Sequence, residues 1–159
     1  MKIILSNNAK RKLMLSLCFL CMAVIFILSS FPAQASGQQS GRILGILSSL
    51  FGGEMNTLGQ DTLQVLVRKT AHVLEFTVLG GLWYGYFLCT RLSFWKRLYL
   101  PFGISVLYAL SDEVHQYFVL GRAARMYDVG FDTIGIILGI GAVWLISRWL
   151  EKKKGKLNG

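Results

Sequence analysis

Long apolar runs separated by short polar stretches organise this chain. Residues 13–31, 69–89, 98–120 and 127–150 are dominated by Leu, Ile, Val, Phe, Tyr and Trp. Each is close to the ~20 residues that a helix needs to cross ~30 Å of hydrocarbon. A water-soluble domain of this size spreads its apolar residues at amphipathic spacing instead of in blocks. The expected fold is therefore all-α, a polytopic membrane bundle of four transmembrane helices forming a single domain over 1–159. The external loop, 32–68, is the longest polar connection. Within it Ile43, Leu44, Ile46, Leu47, Leu50 and Phe51 crowd a stretch too short to span, which predicts a short interfacial helix ended by Gly52 and Gly53. Gly80, Gly81 and Gly85 interrupt the second run, where small residues let helices approach closely. Pro101 is expected in the first turn of the third span, where a missing N–H is harmless, and Gly121 is expected to end that span.

The first run has a competing reading. Lys10, Arg11 and Lys12, the apolar stretch and Ala33-Gln34-Ala35 together have the form of a secretory signal with a small-residue cleavage site. The stretch is longer than a signal core, so a retained anchor is the preferred expectation. Cys18 and Cys21 fall at hydrocarbon depth, and the third cysteine, Cys89, falls near the end of another run. With no second pair and no nearby histidine, all three read as packed apolar thiols.

Charge changes the picture in two ways. The 159 residues carry a formal net charge of +9. A nucleic-acid partner would require a basic face on a folded polar domain, and the basic residues sit at the ends of apolar runs instead. The expected partner is the lipid bilayer. Four spans place both termini on one side, together with twelve of the seventeen Lys and Arg; Arg42, Arg68, Lys69, Arg122 and Arg125 fall on the other. Cytoplasmic loops accumulate Lys and Arg, so both termini are expected in the cytoplasm.

The acidic residues show the opposite bias, since only Glu151 lies in the tail. In this topology Lys69, His72 and Glu75 occupy the outer turns of the second span. Asp112, Glu113, His115 and Gln116 occupy those of the third, and Asp128 and Asp132 those of the fourth. Residues three and four apart share a helix face, so Arg68, His72 and Glu75 form one stripe. Asp112, His115 and Gln116 form another, and Asp128, Asp132, Gly135 and Gly139 a third. Glu113 is turned about 100° from Asp112, toward a different neighbour. Ionisable groups inside a bilayer are expensive and are kept where they face one another or a wet cavity. They read either as glue between helices or as a polar pocket at the outer face.

The block Lys69-Thr70-Ala71-His72-Val73-Leu74-Glu75, together with Asp112-Glu113-Val114-His115-Gln116, Gly121-Arg122 and Asp128, Asp132 and Gly135, resembles the VanZ-like family of bacterial membrane proteins. The resemblance covers about residues 13–147, and its specificity lies in those blocks taken together. Phe76 stands where the family pattern leads to Tyr, and Leu120 where Pro often precedes Gly-Arg. The resemblance implies a bacterial cell-membrane, multi-pass envelope protein. The family's namesake is associated with resistance to the glycopeptide teicoplanin.

Two functional classes compete. In the first, the chain is an accessory that binds a lipid-linked cell-wall precursor or a phospholipid headgroup. Its ligand-binding candidates are Lys69, Gln116, Arg122, Arg125 and Asp128, with the arginines able to hold a phosphate or carboxylate through paired hydrogen bonds. The plainer reading leaves those arginines at lipid headgroups. In the second, it is an intramembrane hydrolase or transferase acting on a lipid phosphate. His72, Glu75, Asp112, Glu113, His115 and Asp132 are then its acid–base candidates, with a divalent metal as one version. No His-Glu-x-x-His signature supports that metal. Transport is the weakest reading, because four spans without an internal repeat leave a monomer little room for alternating access. The sequence leaves the oligomeric state undetermined.

Overall fold

The computed structural model describes residues 7–51, 57–122 and 125–157, with the backbone alone described at 47, 48, 50, 51, 57–61 and 157. These residues form an all-α structure of five helices: α1 (Asn7–Ser29), α2 (Ala33–Phe51), α3 (Thr57–Leu88), α4 (Phe94–Tyr117) and α5 (Met126–Leu157). Of these, Asn7–Ser29 and Met126–Lys156 are long and apolar enough to cross a bilayer on length and composition alone. α3 and α4 match them in length but carry charged side chains.

The centre of the bundle is the α3–α5 pair. On α5, a side chain at Gly135 would collide with the Val73 carbonyl and one at Gly139 with the Thr77 carbonyl; on α3, a Cβ at Gly80 would lie 2.7 Å from the Ile136 carbonyl oxygen. The two backbones are therefore in contact along this seam, the arrangement small residues permit in membrane bundles. Phe76, Leu79, Tyr84 and Ile136 are fully buried around it, with Ala109 of α4 and Cys18 and Ile25 of α1 closing the core. Phe76 faces Tyr108 across 6.3 Å, so the tyrosine hydroxyl missing at position 76 leaves an apolar packing position. Tyr108 instead donates its hydroxyl to the Met22 carbonyl (2.6 Å), joining α4 to α1. The outside of the bundle is as apolar as the inside. Phe19, Leu20, Phe26, Ile27, Leu107, Ile137, Leu138, Leu145 and Ile146 are all exposed. Monomeric soluble proteins rarely carry such continuous apolar surface, so it is consistent with a membrane setting.

Several boundaries differ from the sequence expectation. The 32–68 connection is not a loop around one short helix. α2 starts immediately after Pro32, and α3 starts twelve residues before the expected entry at Lys69. Glycines 37 and 41 of α2 lie against Gln64 of α3, so a face without side chains packs on a polar helix and keeps both helical. Gly52 and Gly53, expected to end the interfacial helix, lie outside the described residues. Pro32 disfavours helical geometry at Phe31, which separates α1 from α2. α4 starts at Phe94, so Pro101 lies inside the helix rather than in its first turn and leaves the Arg97 carbonyl without its usual donor. α5 extends through the lysine tail to Leu157. The cysteines are free, with Cys18 buried and Cys21 and Cys89 half-buried.

Candidate functional site

α4 ends at Tyr117, and the chain turns through Gly121, whose φ of 75° suits a residue without a side chain. The turn is closed by Val119 N–H to the Gln116 carbonyl (3.0 Å) and Arg122 N–H to the Val119 carbonyl (3.1 Å). No proline before Gly121 is needed to shape it. The Leu120 carbonyl accepts from Ala33 N–H (3.2 Å), which ties this turn to the start of α2. The C-terminal ends of α1 and α4, the N-terminal ends of α2 and α5 and the 68–75 stretch of α3 therefore meet at one end of the molecule.

Two polar regions occupy that end. The first joins α1 to α4. Asp112, 3% exposed, accepts from the Ser29 hydroxyl (2.9 Å) and the Gln116 amide (2.7 Å) through Oδ2, while Oδ1 has no partner. Gln116 passes the connection on, accepting from Arg122 at 3.1 Å. Arg122 also donates to the Phe31 carbonyl (3.0 Å) and the Ser36 hydroxyl (3.3 Å). Its guanidinium is half-buried, and that burial, with the nearby Arg68, holds its pKa below the usual arginine range. His115 completes this region. Its Nε2 lies 3.0 Å from the Ser30 hydroxyl and its ring 4.3 Å from that of Phe26.

The second region is a cleft of about 120 Å³ between α3, the end of α4 and α5, with Gly121, Arg122 and Arg125 at its edge. It is lined by Arg68, Lys69, His72, Glu113, Gln116, Arg122, Arg125, Asp128 and Asp132. Lys69 Nζ is 2.6 Å from Asp128 Oδ1 and sits over the rings of Tyr127 and Phe131 at 4.3 and 4.5 Å. An ammonium held by a carboxylate and two aromatic faces is well fixed. Glu113 accepts from the Arg125 backbone N–H, and the Arg125 guanidinium donates to the Tyr127 hydroxyl. That hydrogen bond raises the Arg125 pKa above its ordinary value. A smaller cavity of about 100 Å³ lies between α2 and α3, and Arg68, His72 and Arg122 line both spaces.

The sequence candidates thus separate. Lys69, His72, Glu113, Gln116, Arg122, Arg125, Asp128 and Asp132 line the main cleft. Glu75 lines the smaller cavity, with Oε2 3.7 Å from His72 Nδ1. Asp112 and His115 line neither and belong to the α1–α4 contact. The expectation that both histidines share one centre is therefore corrected: His115 turns toward α1, because Ser30 and Phe26 give its ring a hydrogen bond and a stacking face. Among the described residues no group of three or more His, Cys, Asp or Glu side chains is arranged to hold a metal ion. Sequence reasoning missed Ser29, Ser30, Ser36 and Tyr127. The one available signal was the Ser29-Ser30 pair at the end of an apolar run, where hydroxyls need partners.

A family model described as VanZ/LLP1 matches residues 14–147, a range that includes both polar regions. No curated protein and no solved structure matches the chain significantly.

Proposed function

Because this chain belongs to the VanZ/LLP1 family, we propose that it is a multi-pass protein of the bacterial plasma membrane whose outer-face cleft binds the phosphate-bearing headgroup of an amphipathic envelope lipid. The whole chain, 1–159, acts as one domain. α1, α3, α4 and α5 cross the bilayer, α2 lies at the outer surface, and both termini are cytoplasmic. The distribution of Lys and Arg along the sequence supports that orientation. Retention of the first helix is supported by the Ser29 hydroxyl at its end and the Phe31 carbonyl just beyond it, which are partners of Asp112 and Arg122. Cleavage after Ala35 would remove both.

The observation that carries the ligand reading is the gathering of Arg68, Lys69, Arg122 and Arg125 around one cleft. Guanidinium groups match phosphate oxygens in geometry and charge. Cations at the outer end of a bundle meet lipid phosphates at headgroup depth, and a ligand with an apolar tail reaches them from the leaflet. Lipid-linked cell-wall precursors share this chemistry, and a part in glycopeptide (teicoplanin) resistance would follow from holding such a lipid at the outer surface. The catalytic reading has less support, because His115, one of its two histidines, faces α1.

The test is lipid binding by the purified full-length protein in detergent. Short-chain phosphatidic acid should bind, dihexanoylglycerol should not, and rising salt should weaken the binding. Arg68→Gln should weaken it about tenfold, the share of one charge-assisted hydrogen bond. Equal binding of the phosphate-free lipid, or no dependence on salt, would overturn the proposal.

A further inference from the structure

The cleft holds two oppositely charged side chains that find no partner among the described residues. Asp132 on α5 is 4% exposed and lines the cleft, yet has no hydrogen-bonding or ion-pairing partner among the described residues. Arg68 on α3 lines the same cleft and also has none, and the two do not pair with each other. Of the other charged side chains around the cleft, Lys69 pairs with Asp128, Glu113 with the Arg125 N–H, and Arg122 with Phe31, Ser36 and Gln116, while His72 Nδ1, also at the cleft, makes no hydrogen bond among the described residues. A carboxyl group this deeply buried without a partner is costly, so a site that keeps one open is built for something that completes it.

The two open groups constrain the ligand together. A phosphate alone would complete Arg68 but add negative charge near Asp132, Glu113 and Asp128. An amine alone would complete Asp132 but add positive charge near Arg68 and Arg122. One ligand bearing both charges satisfies both. We propose that the cleft takes a zwitterionic amino-phosphate headgroup, with its phosphate toward Arg68 and a primary ammonium toward Asp132. Size agrees. A water needs about 10–15 Å³ on the same scale, so about 120 Å³ admits a phosphate with a short amino-alcohol. This assignment rests on the phosphate-headgroup reading above and specifies the second half of that headgroup.

The experiment compares dihexanoyl phosphatidylethanolamine with its N-acetyl derivative by calorimetric titration of the full-length protein in detergent. Acetylation removes the ammonium and leaves the phosphate, so the derivative carries more net negative charge. Arginine recognition alone therefore favours the derivative. Recognition through Asp132 favours the parent lipid by about tenfold to a hundredfold, the worth of a hydrogen bond to a charged group. Asp132→Asn should abolish the preference while phosphatidic acid still binds. Equal or tighter binding of the N-acetyl lipid to the native protein overturns the amino-phosphate assignment and leaves the phosphate reading standing. A preference that survives in Asp132→Asn overturns the placing of the ammonium. Failure of phosphatidic acid and both ethanolamine lipids to bind cooperatively folding protein overturns both readings. Should Asp132→Asn fail to fold, the two lipids on the native protein decide the question.

Discussion

The two polar regions at the end of the bundle use the same kinds of residue to opposite effect. On the α1–α4 side, Asp112, His115 and Arg122 find partners in Ser29, Ser30, Ser36 and the Phe31 carbonyl, and Gln116 links Asp112 to Arg122, with Asp112 Oδ1 left without a hydrogen bond. On the α3–α5 side, Arg68 and Asp132 face a cleft with no protein partner among the described residues. A network in which each side chain has at least one partner rigidifies the fold, whereas a buried charge with none costs stability. The first region is therefore read as glue between helices and the second as the binding surface. A shared sequence motif does not imply a shared role, because each side chain does what its neighbours allow.

The largest expected effect removes the frame that both regions stand on. Gly139→Leu would force the α3 and α5 backbones apart, since even a Cβ there meets the Thr77 carbonyl. We expect a loss of about 3 kcal/mol or more and little folded protein in the membrane. Normal abundance and an unchanged thermal midpoint in detergent would show that the seam is not the frame. A smaller effect separates the two sides. Asp112→Ala strands the Ser29 hydroxyl and the Gln116 amide, and should cost about 2 kcal/mol while leaving phosphatidic acid affinity of the folded fraction within about twofold. Loss of affinity at unchanged stability would reverse the two roles. The smallest effect has the opposite sign. Asp132→Asn removes an uncompensated carboxyl, so thermal stability should stay level or rise by about 0.5–1 kcal/mol, as binding-site residues often allow. A marked fall in stability would mean that Asp132 is structural after all.

Much of the architecture was legible along the chain. The apolar runs mark α1, α4 and α5 closely, and the Asp128-Asp132-Gly135-Gly139 stripe gives both the polar mouth and the close backbone approach on α5. In the 32–68 stretch the sequence shows the apolar second half of α2 but not its polar first half; Gly37 and Gly41 there fit against Gln64 of α3, a contact between distant residues. The start of α4 was misplaced because Pro101 reads as a first-turn residue, and nothing local shows that the helix tolerates it further in.

The sequence by itself determined that this protein is helical with long apolar runs and that its ionisable residues gather at the ends of three of them, because spacing and composition set helix formation and which stretches avoid water. Only the tertiary structure decided that His115 turns to α1 while His72 faces the cleft, and that Arg122 is held while Arg68 has no partner among the described residues. Those outcomes depend on which distant hydroxyl, carbonyl or ring comes within about 3 Å, the reach of a hydrogen bond. No periodicity along one helix encodes what stands opposite it.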